Sequence, residues 1–294
     1  MKTSHLKYLL ILPVVIFLLV FFVYPLLKMF LMSIFDPTFT VKHYLRIYNT
    51  PLYAKVIIQT FKLSVICTLS SLILGYPIAF LLNEVKPNTR KILMIFVVIP
   101  FWTSLLVRIY ALMVLLGRNG VINSTLQSIG IVSSPLDLIY NTFSVTVGMI
   151  HYLLPFMIFS LYSVMSGIDK NLIKAAYNLG ANPLRTFARI FLPLSLPGVG
   201  AGSLIVFILS IGFFVTPALL GGRKDIVISM LIENQVSVQL NWPFAAAIGF
   251  TLLVFTLLIF NIAIAPHTPY SAFDSPRYSK ELTALYTLSH NKLF

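Results

Sequence analysis

The chain has 294 residues, 58% of them hydrophobic and only 10% charged, and a formal net charge of +13. Soluble domains carry about 25% charged residues, so this composition, with a mean hydropathy of +0.93, excludes a soluble globular protein and points to an all-α, polytopic membrane protein. The basic residues are scattered through short loops, which fits membrane topology and contact with anionic membrane lipid and excludes a nucleic-acid patch.

Residues 8–35 form a first apolar span after Lys2 and Lys7. It is longer than the apolar region of a signal peptide and has no small-residue cleavage site, so it reads as an uncleaved helix. Residues 36–54 are a polar and aromatic loop. A second span covers 55–82, and a short basic turn, Asn83 to Lys91, leads to a third over 92–116. Arg108 lies inside that third span, and two readings stand: it snorkels to the interface, or it lines a cavity. Residues 117–141 form a longer polar loop with room for a short helix, and the fourth span is 142–166. The fifth is Gly198 to Leu220, where Gly198, Gly200 and Gly202 would let another helix approach closely. Asn241-Trp242-Pro243 opens the sixth, which ends near Ala265. Residues 266–294 turn polar and are expected to be a mostly disordered tail with a short helix near Glu281 to Ser289.

Between the fourth and fifth spans lies the longest amphipathic stretch, Asp169 to Pro197. Asp169 is a good N-cap, and Leu172, Ile173, Ala176 and Leu179 share one helical face. Gly180 can take the left-handed conformation that ends a helix. Asn182 is a second N-cap with Pro183 at the first helical position. Leu184, Phe187, Ala188 and Phe191 make a second stripe, and Pro193 and Pro197 are expected to stop that helix. A DNA-reading helix–turn–helix has the same outline, but the stretch has no room for a third supporting helix between its flanking spans.

Chemistry is sparse elsewhere. Cys67 is alone in an apolar span, and His5, His43, His151, His267 and His290 are dispersed, so neither a disulfide within the chain nor a metal site is expected. No Gly-rich phosphate loop is present. A secondary transporter would want ionisable residues buried mid-span, and a membrane enzyme a clustered acid–base constellation; neither pattern is evident.

The run Lys174-Ala175-Ala176, three residues, Gly180, nine residues, Ile190-x-Leu192-Pro193 resembles the EAA loop of ABC importer permeases, EAA-x3-G-x9-I-x-L-P, at every spacing. It departs at one residue, Lys174, where that family has Glu. LGYPIAFLLN (74–83), PFWTSLLVRIY (100–110), LLPFMIFSLYS (153–163) and NWPFAAA (241–247) are similar to the B-type permease of spermidine/putrescine importers. The resemblance covers about residues 8–265.

It implies a six-helix type I ABC importer permease, which is not itself an enzyme. Its expected organisation is an N-terminal helix and first periplasmic loop (1–54), a permease core (55–265) and a tail (266–294). Lys174, Ala175, Ala176, Asn178, Leu179, Gly180, Ala181, Ile190, Leu192 and Pro193 would form the ATPase-coupling loop within 169–197, with Ala175 and Ala176 letting the helix lie close in the ATPase groove. Lys174 in place of Glu implies asymmetric coupling. The implied partners are a second permease subunit in a heterodimer, two ABC ATPase subunits and a periplasmic solute-binding protein. ATP and Mg would sit on the ATPase chains, and this chain would carry no cofactor. The implied location is the bacterial inner membrane, with both termini and the loop cytoplasmic; basic residues divide almost evenly between the two sides and favour this orientation only through their higher density in the shorter inner loops. A polyamine would want carboxylates and aromatic faces. Glu233, Asp225, Tyr110, Phe213 and Phe214 are the candidates, each with a plainer reading as a loop carboxylate or packing ring. The same machine carrying an opine or amino-acid derivative is the alternative.

Overall fold

The computed structural model describes residues 12–264. The tail at 266–294 lies outside the described residues, as do residues 1–11. The described residues fold into helices in the order α1 (Leu12–Ile34), α2 (Lys42–Asn49), α3 (Pro51–Glu84), α4 (Pro87–Trp102), α5 (Leu105–Leu116), α6 (Val121–Ser128), α7 (Thr142–Ser166), α8 (Lys170–Asn178), α9 (Pro183–Ile211), α10 (Val215–Leu220), α11 (Ile228–Ser237) and α12 (Trp242–Ile264). Six stretches are long and apolar enough to cross a membrane.

The core is built by α3, α7 and α9. Val145, Met149, Leu153, Met157, Leu161 and Met165 recur every four residues along α7, and all are fully buried. That spacing forms one ridge on the helix surface. Leu63, Cys67, Ala79 and Leu82 of α3 and Phe191 and Val206 of α9 pack around it. Close approach depends on glycine. A Cβ on Gly75 would stand 3.0 Å from Met157 Cγ, and one on Gly202 would stand 2.8 Å from Met157 Sδ. Gly198 meets Val164 in the same way, at 3.0 Å, whereas Gly200 faces open space. Of the three small residues expected to admit a neighbour, two do so.

At the end of the bundle where α3 begins, a second cluster closes the fold. Ile47 of α2, Tyr53 and Val56 of α3, Ile228 of α11 and Phe244, Ala247 and Ile248 of α12 bury one another. The amide of Ile228 donates to Thr60 Oγ1 at 2.9 Å, which pins α11 to α3. The Arg46 guanidinium covers the Phe244 ring at 4.4 Å. Asp36 accepts from Lys42 Nζ at 2.9 Å and pairs with His43 Nε2 at 3.1 Å, fastening the start of α2 to the chain that leaves α1. The Lys42 hydrogen bond, seconded by His43 and opposed in part by desolvation, holds the Asp36 carboxyl below the usual carboxylate range.

Two spans differ from expectation. The third is interrupted: α4 ends at Trp102, Thr103 and Ser104 are extended, and α5 begins at Leu105. Pro100 removes a donor there, and its carbonyl is taken by Thr103 N and Thr103 Oγ1 instead. The fifth begins fifteen residues early. Pro193 and Pro197 do not stop the helix, and just before Pro193 the stretch Phe187–Phe191 widens to a π turn in which the Leu192 amide reaches Phe187 O. The wider turn makes room for the Pro193 ring that a continuous α-helix would exclude. The helix stops instead at Ile211, and Gly212–Phe214 separates it from α10. The fourth span, Thr142–Ser166, agrees with expectation and starts on a reciprocal Asn141–Ser144 capping box.

Two expected outcomes follow from this packing. Gly148, where a Cβ would meet Thr216 Cγ2 at 2.7 Å and Leu220 Cδ1 at 2.8 Å, should not accept a larger residue. Gly148→Val should destabilise the chain by about 1–3 kcal/mol, read as a lowered melting midpoint in detergent, while Gly200→Ala leaves it unchanged. For Asp36, a carboxyl depressed in the folded state stabilises above its ordinary titration range and loses that contribution as pH falls through the folded value. Asp36→Asn should therefore speed amide exchange in α2 at pH 7, and the difference from wild type should persist through the ordinary carboxylate range and vanish only at lower pH, where the wild-type carboxyl also protonates.

Candidate functional site: a helical hairpin and a mid-bundle aromatic layer

The connection between α7 and α9 is a hairpin specified residue by residue. Asp169 caps α8 by accepting the Asn171 amide at 2.9 Å. Gly180 has φ +81, and no atom lies within 4 Å of where its Cβ would be. Backbone conformation, not crowding, therefore demands glycine here. The Gly180 amide donates to Tyr177 O at 2.9 Å and the Ala181 amide to Ala176 O at 3.0 Å, the pair of bonds that closes a Schellman motif. Asn182 then caps α9 by accepting the Arg185 amide at 2.8 Å.

One side of the hairpin is held by aromatic rings. Phe187 and Phe191 meet Phe80 of α3 edge-on, with centroids 5.7 and 5.1 Å apart. Tyr76 packs edge-on against Phe187, and its hydroxyl bonds Ser195 Oγ at 2.8 Å. Phe187 and Phe191, four residues apart on the helix, both face α3. The other side is bare. Leu179 and Leu184, members of the two apolar stripes, are 88% and 77% exposed at the tip. Leu172 and Tyr177 are exposed as well, and so are Lys174, Ala175, Asn178, Leu192 and Pro193; Ala181 and Ile190 are half-buried. Ala176 is buried against its own chain, so its small size serves packing inside the subunit, and of the two alanines only Ala175 is free for an outside surface. A cavity of about 590 Å³ lies behind the hairpin, between Phe80 and Glu84 of α3 and Lys170, Lys174 and Tyr177 of α8.

The candidates for a solute path scatter. Asp225 is 2% exposed; its carboxylate accepts the Thr142 hydroxyl and the Gly222 amide, so it fastens the chain after α10 to the start of α7. Glu233 is exposed on α11, and Tyr110 is 58% exposed on α5. Phe214 is half-buried beside Phe213. Phe213 alone joins a larger arrangement. Its ring lies 5.1 Å from Tyr152 of α7, its carbonyl accepts Ser229 Oγ at 2.7 Å, and the Arg108 guanidinium sits 5.1 Å over the Tyr152 ring. Tyr152 was absent from the expected site. Its signal in the sequence is weak, since a tyrosine within an apolar span reads as packing. Arg108 was visible as a charge in an apolar run, but which surface it faced was not.

Six candidate spans and an aromatic-anchored hairpin between two of them make the described residues those of a multi-pass helical membrane protein. The chain belongs to the family of binding-protein-dependent transport system inner membrane components, whose model matches residues 71–265. It is 41% identical over 223 residues to the spermidine/putrescine transport system permease protein PotB of Haemophilus influenzae, covering 75% of this chain and 77% of that one. It is 38% identical over 216 residues to PotB of Escherichia coli (strain K12), covering 74% and 78%. Its fold is similar to that of a chain in a bacterial alginate ABC transporter in complex with an alginate pentasaccharide-bound periplasmic protein, with TM-score 0.77, 21% identity and coverage of 92% and 96%.

The turn chemistry makes a direct prediction. A β-branched residue in the left-handed region costs about 1–2 kcal/mol, and Asn tolerates that region. Gly180→Val should open the hairpin to proteolysis near Leu179 and Leu184, and Gly180→Asn should leave it nearly as resistant as wild type.

Proposed function

We propose that this chain is the permease subunit of an ATP-driven, binding-protein-dependent importer that carries polyamines across the bacterial inner membrane. The observation that carries the importer reading is the capped hairpin: Leu179 and Leu184 stand exposed at the tip of a turn anchored by Phe187 and Phe191. A membrane protein that holds apolar residues out at a rigid tip is built to seat them in another protein. The likeness to PotB supports the solute class.

In this reading residues 55–265 are the permease core. The hairpin and both termini face the cytoplasm, and the tip seats in one of two ABC ATPase subunits, where ATP and Mg are bound. Lys174, Ala175, Asn178, Leu179, Gly180 and Ala181 form the seat, and Ile190, Leu192 and Pro193 carry its movement along α9. A second permease completes the path, and a periplasmic solute-binding protein delivers to it. When the ATPase pair closes on ATP, the hairpin moves with it. The unbroken helix from Pro183 to Ile211 passes that displacement to Gly212–Phe214, where the next break lies. Solute shifts the equilibrium between states only through its different affinity for each.

A second reading is the same machine carrying an amine that also bears a carboxylate. One observation favours it: Arg108 places a positive charge beside Tyr152 and Phe213, whereas Asp225, the buried acidic candidate, is engaged by Thr142 and Gly222.

Uptake of labelled putrescine and spermidine in cells with and without the chain tests the proposal. Uptake should disappear on deletion and return with the intact gene. Gly180→Val should not restore it although the protein reaches the membrane. Unchanged uptake in the deletion strain, with no redundant polyamine system present, removes polyamine as solute. Full uptake with Gly180→Val removes the coupling role of the hairpin.

A further inference from the structure

Two helix breaks and one cation meet halfway along α7. Tyr152 lies about 15 Å from the start of α7, near its midpoint. The Thr103–Ser104 break lies beside it, because Arg108 Nη2 donates to Thr103 O at 3.1 Å while its guanidinium covers the Tyr152 ring at 5.1 Å. The Gly212–Phe214 break lies on it too, through Phe213 at 5.1 Å. Irregular backbone at membrane depth is tolerated where protein buries it or where it lines a watery cavity, not against lipid. A guanidinium at that depth follows the same rule.

Arg108 is only partly satisfied. One of its five N–H groups is bound to Thr103 O. Its Nε is buried with no acceptor, and the ion pairs among the described residues are both made by Asp36, which is far along the chain in a different cluster. The half-buried Arg108 thus keeps one N–H shut off from solvent and unpaired, which is unfavourable. The planar fork of a guanidinium matches a carboxylate in bidentate fashion.

We infer that Arg108 receives a carboxylate from outside this chain, held over the Tyr152 ring at the two helix breaks, as part of the solute pathway. The carboxylate has two sources, a side chain of the second permease subunit or the solute itself. The inference rests on the importer reading given above; a polyamine has no carboxylate, so with a polyamine as solute the source is the second subunit. Arg108 then holds in place the acidic group for which an incoming ammonium competes.

The test uses the complete complex, in wild type and with Arg108→Gln and Arg108→Lys, after checking that each chain reaches the membrane. Melting is read in detergent without solute, with putrescine and with 4-aminobutyrate, which pairs an amine with a carboxylate. A second-subunit carboxylate predicts that Arg108→Gln lowers the solute-free melting midpoint by roughly 2–4 °C and that Arg108→Lys, which keeps the charge, recovers part of it. A solute carboxylate predicts equal solute-free midpoints and loss of the 4-aminobutyrate shift in Arg108→Gln. If Arg108 serves only as packing on Tyr152, the flat amide of Gln replaces it better than Lys does. That reversed order, or identical melting of all three chains in every condition, overturns the inference. Wild type that neither binds nor imports putrescine or 4-aminobutyrate defeats the solute readings and leaves the solute-free comparison in force.

Discussion

The structure depends on Met157 lying between two glycines. Its side chain fills the place where Gly75 of α3 and Gly202 of α9 bring those helices against α7. In lipid there is little hydrophobic force between helices, so association relies on close packing and on what small residues permit. The four-residue ridge of α7, from Val145 to Met165, supplies the rest of the contact. Methionine is suited to the crossing because its unbranched thioether adapts to an irregular gap. With three helices fixed there, the hairpin at one end and the collar of α2, α11 and α12 at the other acquire defined positions.

The two ends are tied down by different means. The collar uses aromatic and aliphatic burial around Phe244, together with the Asp36–Lys42–His43 contacts. The hairpin uses the rings of Phe80, Phe187 and Phe191 on its inner side and leaves its tip apolar and exposed. This asymmetry suits the proposed coupling role: the Schellman closure at Gly180 fixes the turn by backbone hydrogen bonds and leaves its tip without side-chain cover. Between the ends, Thr103–Ser104 and Gly212–Phe214 interrupt two helices beside Tyr152.

Much of the hairpin was legible in the chain itself. Asp169 and Asn182 as caps, Pro183 at the first turn and Gly180 in the left-handed region follow from local chemistry, because each needs only its neighbours along the chain. Which surface the hairpin's apolar stripes meet was not legible, for an equally physical reason. Periodicity groups Leu172, Ile173, Ala176 and Leu179 on one face but cannot say whether that face meets its own subunit or another protein. The π turn at Phe187–Phe191 was also hidden: Pro193 and Pro197 read as helix stops, yet the helix runs through both to Ile211.

By itself the sequence determined an all-helical membrane protein, the extent of the second, fourth and sixth spans to within a few residues, and the position and caps of the hairpin. These rest on hydropathy and on hydrogen bonds between near neighbours in the chain. Tertiary structure alone decided that Asp225 fastens a loop, that Ala176 packs inward, and that Arg108, Tyr152 and Phe213 meet beside two helix breaks. Those residues come from helices far apart in the chain. Their meeting is set by how α5, α7 and the end of α9 cross, which no local pattern encodes.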